Sequence, residues 1–95
     1  MAKVTFPAGK EVDLQPARFT SDSVRLLELI EMMATAETRK GHYAEFFATL
    51  RRVLTDCIVR SGLTAEEADA LLSELPFGDG FIETVTPMLD AIGLQ

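Results

Sequence analysis

The 95-residue chain is poor in the residues from which most chemistry is built. It has one cysteine, Cys57, and one histidine, His42. A single thiol excludes an internal disulfide and a thiol-based metal cluster. The two stand 15 residues apart, roughly four helical turns, so they cannot form a catalytic pair along one helix. No apolar run approaches the ~18 residues that a membrane helix requires. The start, Met-Ala-Lys-Val-Thr-Phe-Pro, has no hydrophobic signal region, and a cytoplasmic location is expected. The glycines of Gly78-Asp79-Gly80 lack the Gly-Lys-Ser/Thr element of a phosphate loop, and Asp79 lacks the neighbouring oxygen ligands of a calcium loop.

Basic charge is also short. The net charge is −6, and from Leu63 onward the chain carries Glu66, Glu67, Asp69, Glu74, Asp79, Glu83 and Asp90 with no lysine or arginine. Such a surface repels nucleic acid. Arg39, Lys40, Arg51, Arg52 and Arg60 could form a basic patch, but the aromatics of that stretch belong to its apolar stripe and do not interleave the basic face, and a solvated face is the simpler reading. The carboxylate pairs Glu28/Glu31 and Glu66/Glu67 fall on helical segments without polar partners that would build a pocket. No enzyme, metal or cofactor is expected.

What the chain does have is apolar content. At 47% hydrophobic residues and a mean hydropathy of +0.15, it reads as one packed domain with apolar surface to spare for a partner. Between Gly41 and Gly62, Tyr43, Phe46, Phe47, Leu50, Val53, Leu54, Cys57 and Ile58 recur at i, i+3, i+4, i+7, the spacing of an amphipathic helix. Glu45, Thr49, Arg51, Arg52, Asp56 and Arg60 make its wet face. This segment, 43–61, is the expected centre of the core.

The other segments read as its partners. Alternation of Val4 and Phe6, then Val12 and Leu14, around Pro7-Ala8-Gly9-Lys10 predicts a β-hairpin over 3–14. Its open edge is a natural place for self-assembly. Phe19 follows as an expected anchor onto the core. Thr20 to Ser23 cap a helix over 22–38, whose Val24, Leu26, Leu27, Leu29, Ile30, Met32 and Met33 are too many for one stripe. That helix is either central or carries a second apolar face. Thr64 and Glu67 have capping-box spacing and open a helix over 65–75, stopped by Pro76. A last helix, 80–92, contains Pro87, which either kinks it or starts a new turn. The expected fold is mainly α, four to five short helices in a bundle with a small N-terminal hairpin.

Two resemblances bear on function. Asp22-Ser23-Val24-Arg25-Leu26-Leu27-Glu28-Leu29-Ile30 resembles the prosthetic-group site of acyl and peptidyl carrier proteins, which would make Ser23 the phosphopantetheine attachment point. The chain departs from that family upstream, where a hairpin replaces the helix and long loop before the serine. The second resemblance covers nearly the whole chain and is one of layout. The ribbon leads out through Lys10-Glu11-Val12-Asp13-Leu14-Gln15-Pro16. Compact helices follow, and the close is Leu75-Pro76-Phe77, Phe81-Ile82-Glu83-Thr84-Val85 and Met88-Leu89-Asp90-Ala91-Ile92-Gly93. This looks like the small tail assembly chaperones of long-tailed bacteriophages. The resemblance implies a non-enzymatic protein that binds a long helical tape-measure protein and keeps it soluble during tail assembly. A small helical adaptor or regulator is the remaining alternative, and the hairpin edge or the over-apolar first helix is where a homo-oligomer would form. Methionine and aromatic side chains adapt to varied helical partners, so Met32, Met33, Phe77, Phe81 and Met88 are the candidate binding residues, with core packing as the alternative role of each.

Overall fold

A computed structural model describes residues 2–95. Strands β1 (Ala2–Thr5) and β2 (Glu11–Leu14) pair antiparallel, with Val4 opposite Val12 and Ala2 opposite Leu14. The turn follows from its residues. The Gly9 N–H bonds to the Phe6 carbonyl and the Phe6 N–H bonds to Lys10, both at 2.8 Å. Gly9 takes φ +90°, which is the left-handed bulge position of a three-residue hairpin loop and favours glycine. The period-two pattern then places Val4, Phe6, Val12 and Leu14 on one buried face, as expected of a ribbon with one dry side.

Five helices follow among the described residues: α1 (Ser21–Met33), α2 (Ala36–Arg39), α3 (Tyr43–Arg60), α4 (Ala65–Ser73) and α5 (Phe81–Ala91). The mainly helical fold with its hairpin is as expected, but the first helical segment, expected to run unbroken over 22–38, is split. Thr35 is extended (φ −121°, ψ 146°), and the freed carbonyls at the end of α1 are taken up by α2. The Thr38 hydroxyl donates to the Met32 carbonyl at 2.6 Å and Arg39 Nε to the Met33 carbonyl at 3.1 Å. Side-chain donors replace the next helical turn, and the helix ends where the apolar pattern fades. Pro87 lies within α5 without ending it. It removes only the bond to the Glu83 carbonyl, while the Thr86 hydroxyl reinforces the neighbouring Ile82 carbonyl at 2.7 Å.

The chain forms two compact units. One comprises the chain through Ala17 and Thr55–Gln95. Its core is the hairpin face with Cys57 and Ile58 of α3, Ala68, Leu71 and Leu72 of α4, and Val85, Met88, Leu89 and Ile92 of α5. The Ala17 N–H bonds to the Ile92 carbonyl (3.0 Å), and the Gln15 N–H to Ser61 Oγ (3.2 Å). The guanidinium of Arg60 donates to the Pro16 carbonyl.

The other unit, Arg18–Leu54, holds α1, α2 and most of α3. Two bidentate ion pairs join α1 to α3: Arg25 to Glu45 (2.8 and 2.7 Å) and Arg52 to Asp22 (3.1 and 3.2 Å). Going up α1 from Asp22 to Arg25 means going down α3 from Arg52 to Glu45, so the two helices run antiparallel. Leu26 and Leu29 are buried in this unit with Phe46, Leu50, Val53 and Leu54. Thr49, expected on the wet face of α3, is buried too. It lies at i+3 from Phe46 and i−4 from Val53, inside a face wider than one stripe, and its hydroxyl accepts from Arg52 at 3.3 Å.

The capping box of α4 is closed: the Glu67 N–H donates to Thr64 Oγ1 (3.0 Å) and the Thr64 N–H to Glu67 Oε1 (2.9 Å). The bond from the Thr64 backbone holds the Glu67 carboxyl below its ordinary range, and the Arg25 guanidinium does the same for Glu45. Both carboxylates therefore favour the folded state above the ordinary glutamate pKa of about 4.3. That contribution is lost as pH falls through the lowered folded-state values. Thermal melts between neutral and acid pH should show a smaller acid loss of stability in a Glu45→Gln/Glu67→Gln double variant than in the parent. An unchanged pH slope would show that these two groups are not responsible.

Candidate functional site

The helical period distributes α1's seven large apolar residues over more surface than one contact can cover. Leu26 and Leu29 are fully buried, and Ile30, Met32 and Met33 are partly covered. Val24 and Leu27, three residues apart and so neighbours on the helix surface, are each 44% exposed. Phe19, just before the N-cap Thr20, is 98% exposed. Phe19 and Val24 occupy the two positions of a hydrophobic staple, yet with Phe19 so exposed the staple is not closed. Phe19, Val24 and Leu27 are thus three large apolar side chains left to solvent at the start of one helix. The expectation that Phe19 anchors onto the core is corrected. Of the two readings of this helix, central or bearing a second apolar face, the exposed side chains fit the second.

A cap and two ion pairs hold this part of α1 in place. Thr20 Oγ1 accepts from the Ser23 N–H at 3.2 Å and caps the helix, with Asp22 in the first turn. The ion pairs Arg25–Glu45 and Arg52–Asp22 fix the helix against α3. The hydrogen bond to Glu45 raises the Arg25 pKa, and that to Asp22 raises the Arg52 pKa. Exposed pairs of this kind contribute modestly to stability. Their role here is to fix register.

The candidate residues named from the sequence are spread over both units. Met32 and Met33 lie half-buried at the end of α1. In the other unit Phe77 is 77% exposed and meets half-buried Phe81 edge to face, with ring centroids 5.7 Å apart and planes at 69°. Met88 is corrected: at 0% exposure it is a core residue of α5 and offers no surface. Its spacing with Val85, Leu89 and Ile92 places it on the helix's buried side. Besides Phe19, Val24 and Leu27, sequence reasoning passed over Ile82, which is 68% exposed on α5.

Beside α5 runs an open groove of about 550 Å³, lined by Val4, Thr5 and Pro7 of the hairpin, Glu74 and Pro76 after α4, and Glu83, Thr84 and Pro87 of α5. On α5 the lining positions 83, 84 and 87 share one flank. Ile82 falls on the other.

Several polar groups singled out in the sequence are engaged structurally. Ser23 is only 7% exposed, and its hydroxyl accepts from Thr20 Oγ1 at 3.2 Å. A pantetheinylated serine must present its hydroxyl, and this one is turned into a helix cap. His42 Nδ1 lies 2.8 Å from the Thr38 carbonyl, and Cys57 is fully buried. Of the five cations considered as a basic patch, Arg52 pairs with Asp22, Arg39 with a backbone carbonyl, and Arg60 with Asp56 at 2.9 Å. Among the described residues no three His, Cys, Asp or Glu side chains come together as metal ligands, and no helix is long and apolar enough to cross a membrane. No family model, curated protein or solved structure matches this chain.

Proposed function

We propose that this chain is a non-enzymatic, protein-binding assembly chaperone that covers the apolar face of a long helical partner and keeps it soluble until assembly displaces it. The supporting observation is the uncovered strip Phe19, Val24 and Leu27 on a helix whose opposite side is already buried. An amphipathic partner helix brings apolar side chains at i, i+3, i+4 and i+7, and a strip of this kind receives them. Met32 and Met33, partly exposed further along α1, extend the apolar surface with adaptable side chains. A tape-measure protein is the partner that the layout resemblance names.

The test is mild affinity capture of the tagged chain from its producing cells, with intact-mass spectrometry of everything that elutes. A long helical protein should co-elute with the chain at its unmodified mass. Val24→Glu with Leu27→Glu should abolish that co-elution while shifting stability by no more than about 0.5 kcal/mol, as expected for exposed positions. Ser23→Ala should retain it, at a cost of roughly 1 kcal/mol in the capping turn. A chain heavier by one phosphopantetheine, lost in Ser23→Ala, would install a carrier function instead.

A further inference from the structure

We propose that the outer edge of β1 and the groove beside it bind an extended, basic segment of a partner protein as an added strand. This site lies wholly within the unit containing the hairpin, α4 and α5, and it stands without the chaperone reading.

The hairpin has two outer edges, and they differ. Because the Phe6 N–H bonds to Lys10, the antiparallel alternation makes Val4–Val12 and Ala2–Leu14 the hydrogen-bonded pairs. The N–H and C=O groups of Lys3 and Thr5 therefore point away from β2. The sheet has only two strands, so among the described residues those groups have no sheet partner. On the β2 side the equivalent row continues to Gln15, whose N–H is taken by Ser61 Oγ at 3.2 Å. The hairpin contributes only Val4, Thr5 and Pro7 to the groove, with no residue of β2. The groove thus lies on the β1 side, next to the open edge. A third strand there would also relieve the marginal stability of a two-stranded ribbon.

The groove's chemistry selects the charge of that strand. Pro7, Pro76 and Pro87 supply apolar rings and no N–H donor. The Thr84 hydroxyl is committed to the Gly80 carbonyl at 2.8 Å. What remains is acceptor-rich: Glu74 and Glu83, neither of which forms an ion pair among the described residues. They stand in a stretch, Leu63 to Gln95, with seven acidic and no basic residues. An acidic strand or a phosphate would be repelled. A strand alternating apolar side chains with lysine or arginine would set one row on the prolines and the other on the two carboxylates. The same charge disfavours β1–β1 pairing between two copies, which would bring four of these glutamates together.

The probe is a short capped peptide alternating lysine with valine and threonine, titrated into the full chain with amide hydrogen exchange read residue by residue. Binding should protect the Lys3 and Thr5 amides and weaken with salt. Glu74→Gln with Glu83→Gln should reduce affinity about fivefold. Thr5→Pro removes an outward N–H that the native pairing does not use, and should abolish protection with little change in the thermal melt. If Thr5→Pro destabilises the hairpin, N-methylation of the peptide backbone on alternate residues makes the same test on the intact protein. Failure to bind, equal binding of a glutamate-for-lysine peptide, equal affinity for spermidine, or concentration-dependent self-pairing at Lys3 and Thr5 would each overturn the proposal.

Discussion

Leu54→Ala is expected to cost about 2–5 kcal/mol, the range for a fully buried leucine truncated in a core that relaxes only partly. Leu54 is 1% exposed on α3, with Leu50, Val53 and Ile58 as buried companions on the same helix. Chains of this size have total stabilities of roughly 5–15 kcal/mol, so the variant should lose a large share of its folded margin at physiological temperature. Ile58→Val, at 0% exposure, should cost only about 0.5–1.5 kcal/mol because one methylene is removed. The two positions fall in different compact units, Leu54 at the end of one and Ile58 just inside the other. Each variant should lower the urea midpoint and leave the slope unchanged. A loss below about 1 kcal/mol for Leu54→Ala would mean that α3 is not the packed centre of its unit.

How much of this was legible in the sequence depended on whether the signal was local. The hairpin, the capping box of Thr64 and Glu67, and the buried stripe of α3 are each written in residues a few positions apart, and each is present, except that Tyr43, expected to open that stripe, is 48% exposed in the first turn of α3. The end of α1 was not legible as a stop. Nothing between Met33 and Arg39 is a glycine or proline, and the break depends on Thr38 and Arg39 reaching back to the carbonyls of Met32 and Met33. Burial of Thr49 likewise required knowing how wide a face α3 hides. The candidate surface was half legible. An excess of apolar residues on α1 announced a second face, but which residues formed it was a tertiary question. Val24 and Leu27 turned outward while Leu26 and Leu29 turned in. Met88 looked like an adaptable contact by residue type, and its place on the wheel with Val85, Leu89 and Ile92 was the stronger signal.

The two phenylalanines nearest the N-terminus separate packing from recognition most sharply. Phe6→Ala should cost about 3–5 kcal/mol, since Phe6 is 1% exposed and ends the dry face of a ribbon too short to stand alone. β1 packs against α5, so loss of that ring should raise hydrogen exchange across both strands before the helices are affected. Phe19→Ser should do the reverse. At 98% exposure the ring makes almost no intramolecular contact, and its removal should leave the melting curve within about 0.5 kcal/mol of the parent. If the strip on α1 is where a partner helix docks, the same change should cut partner capture several-fold, because an aromatic side chain at such a surface carries a disproportionate share of binding energy. The two variants thus form a crossed pair: one loses stability and the other loses binding. Should Phe19→Ser bind as well as the parent, the strip would not be the docking surface, however stable the fold. Should it unfold, Phe19 would be packing in solution after all, and the core would be larger than the exposed ring implies.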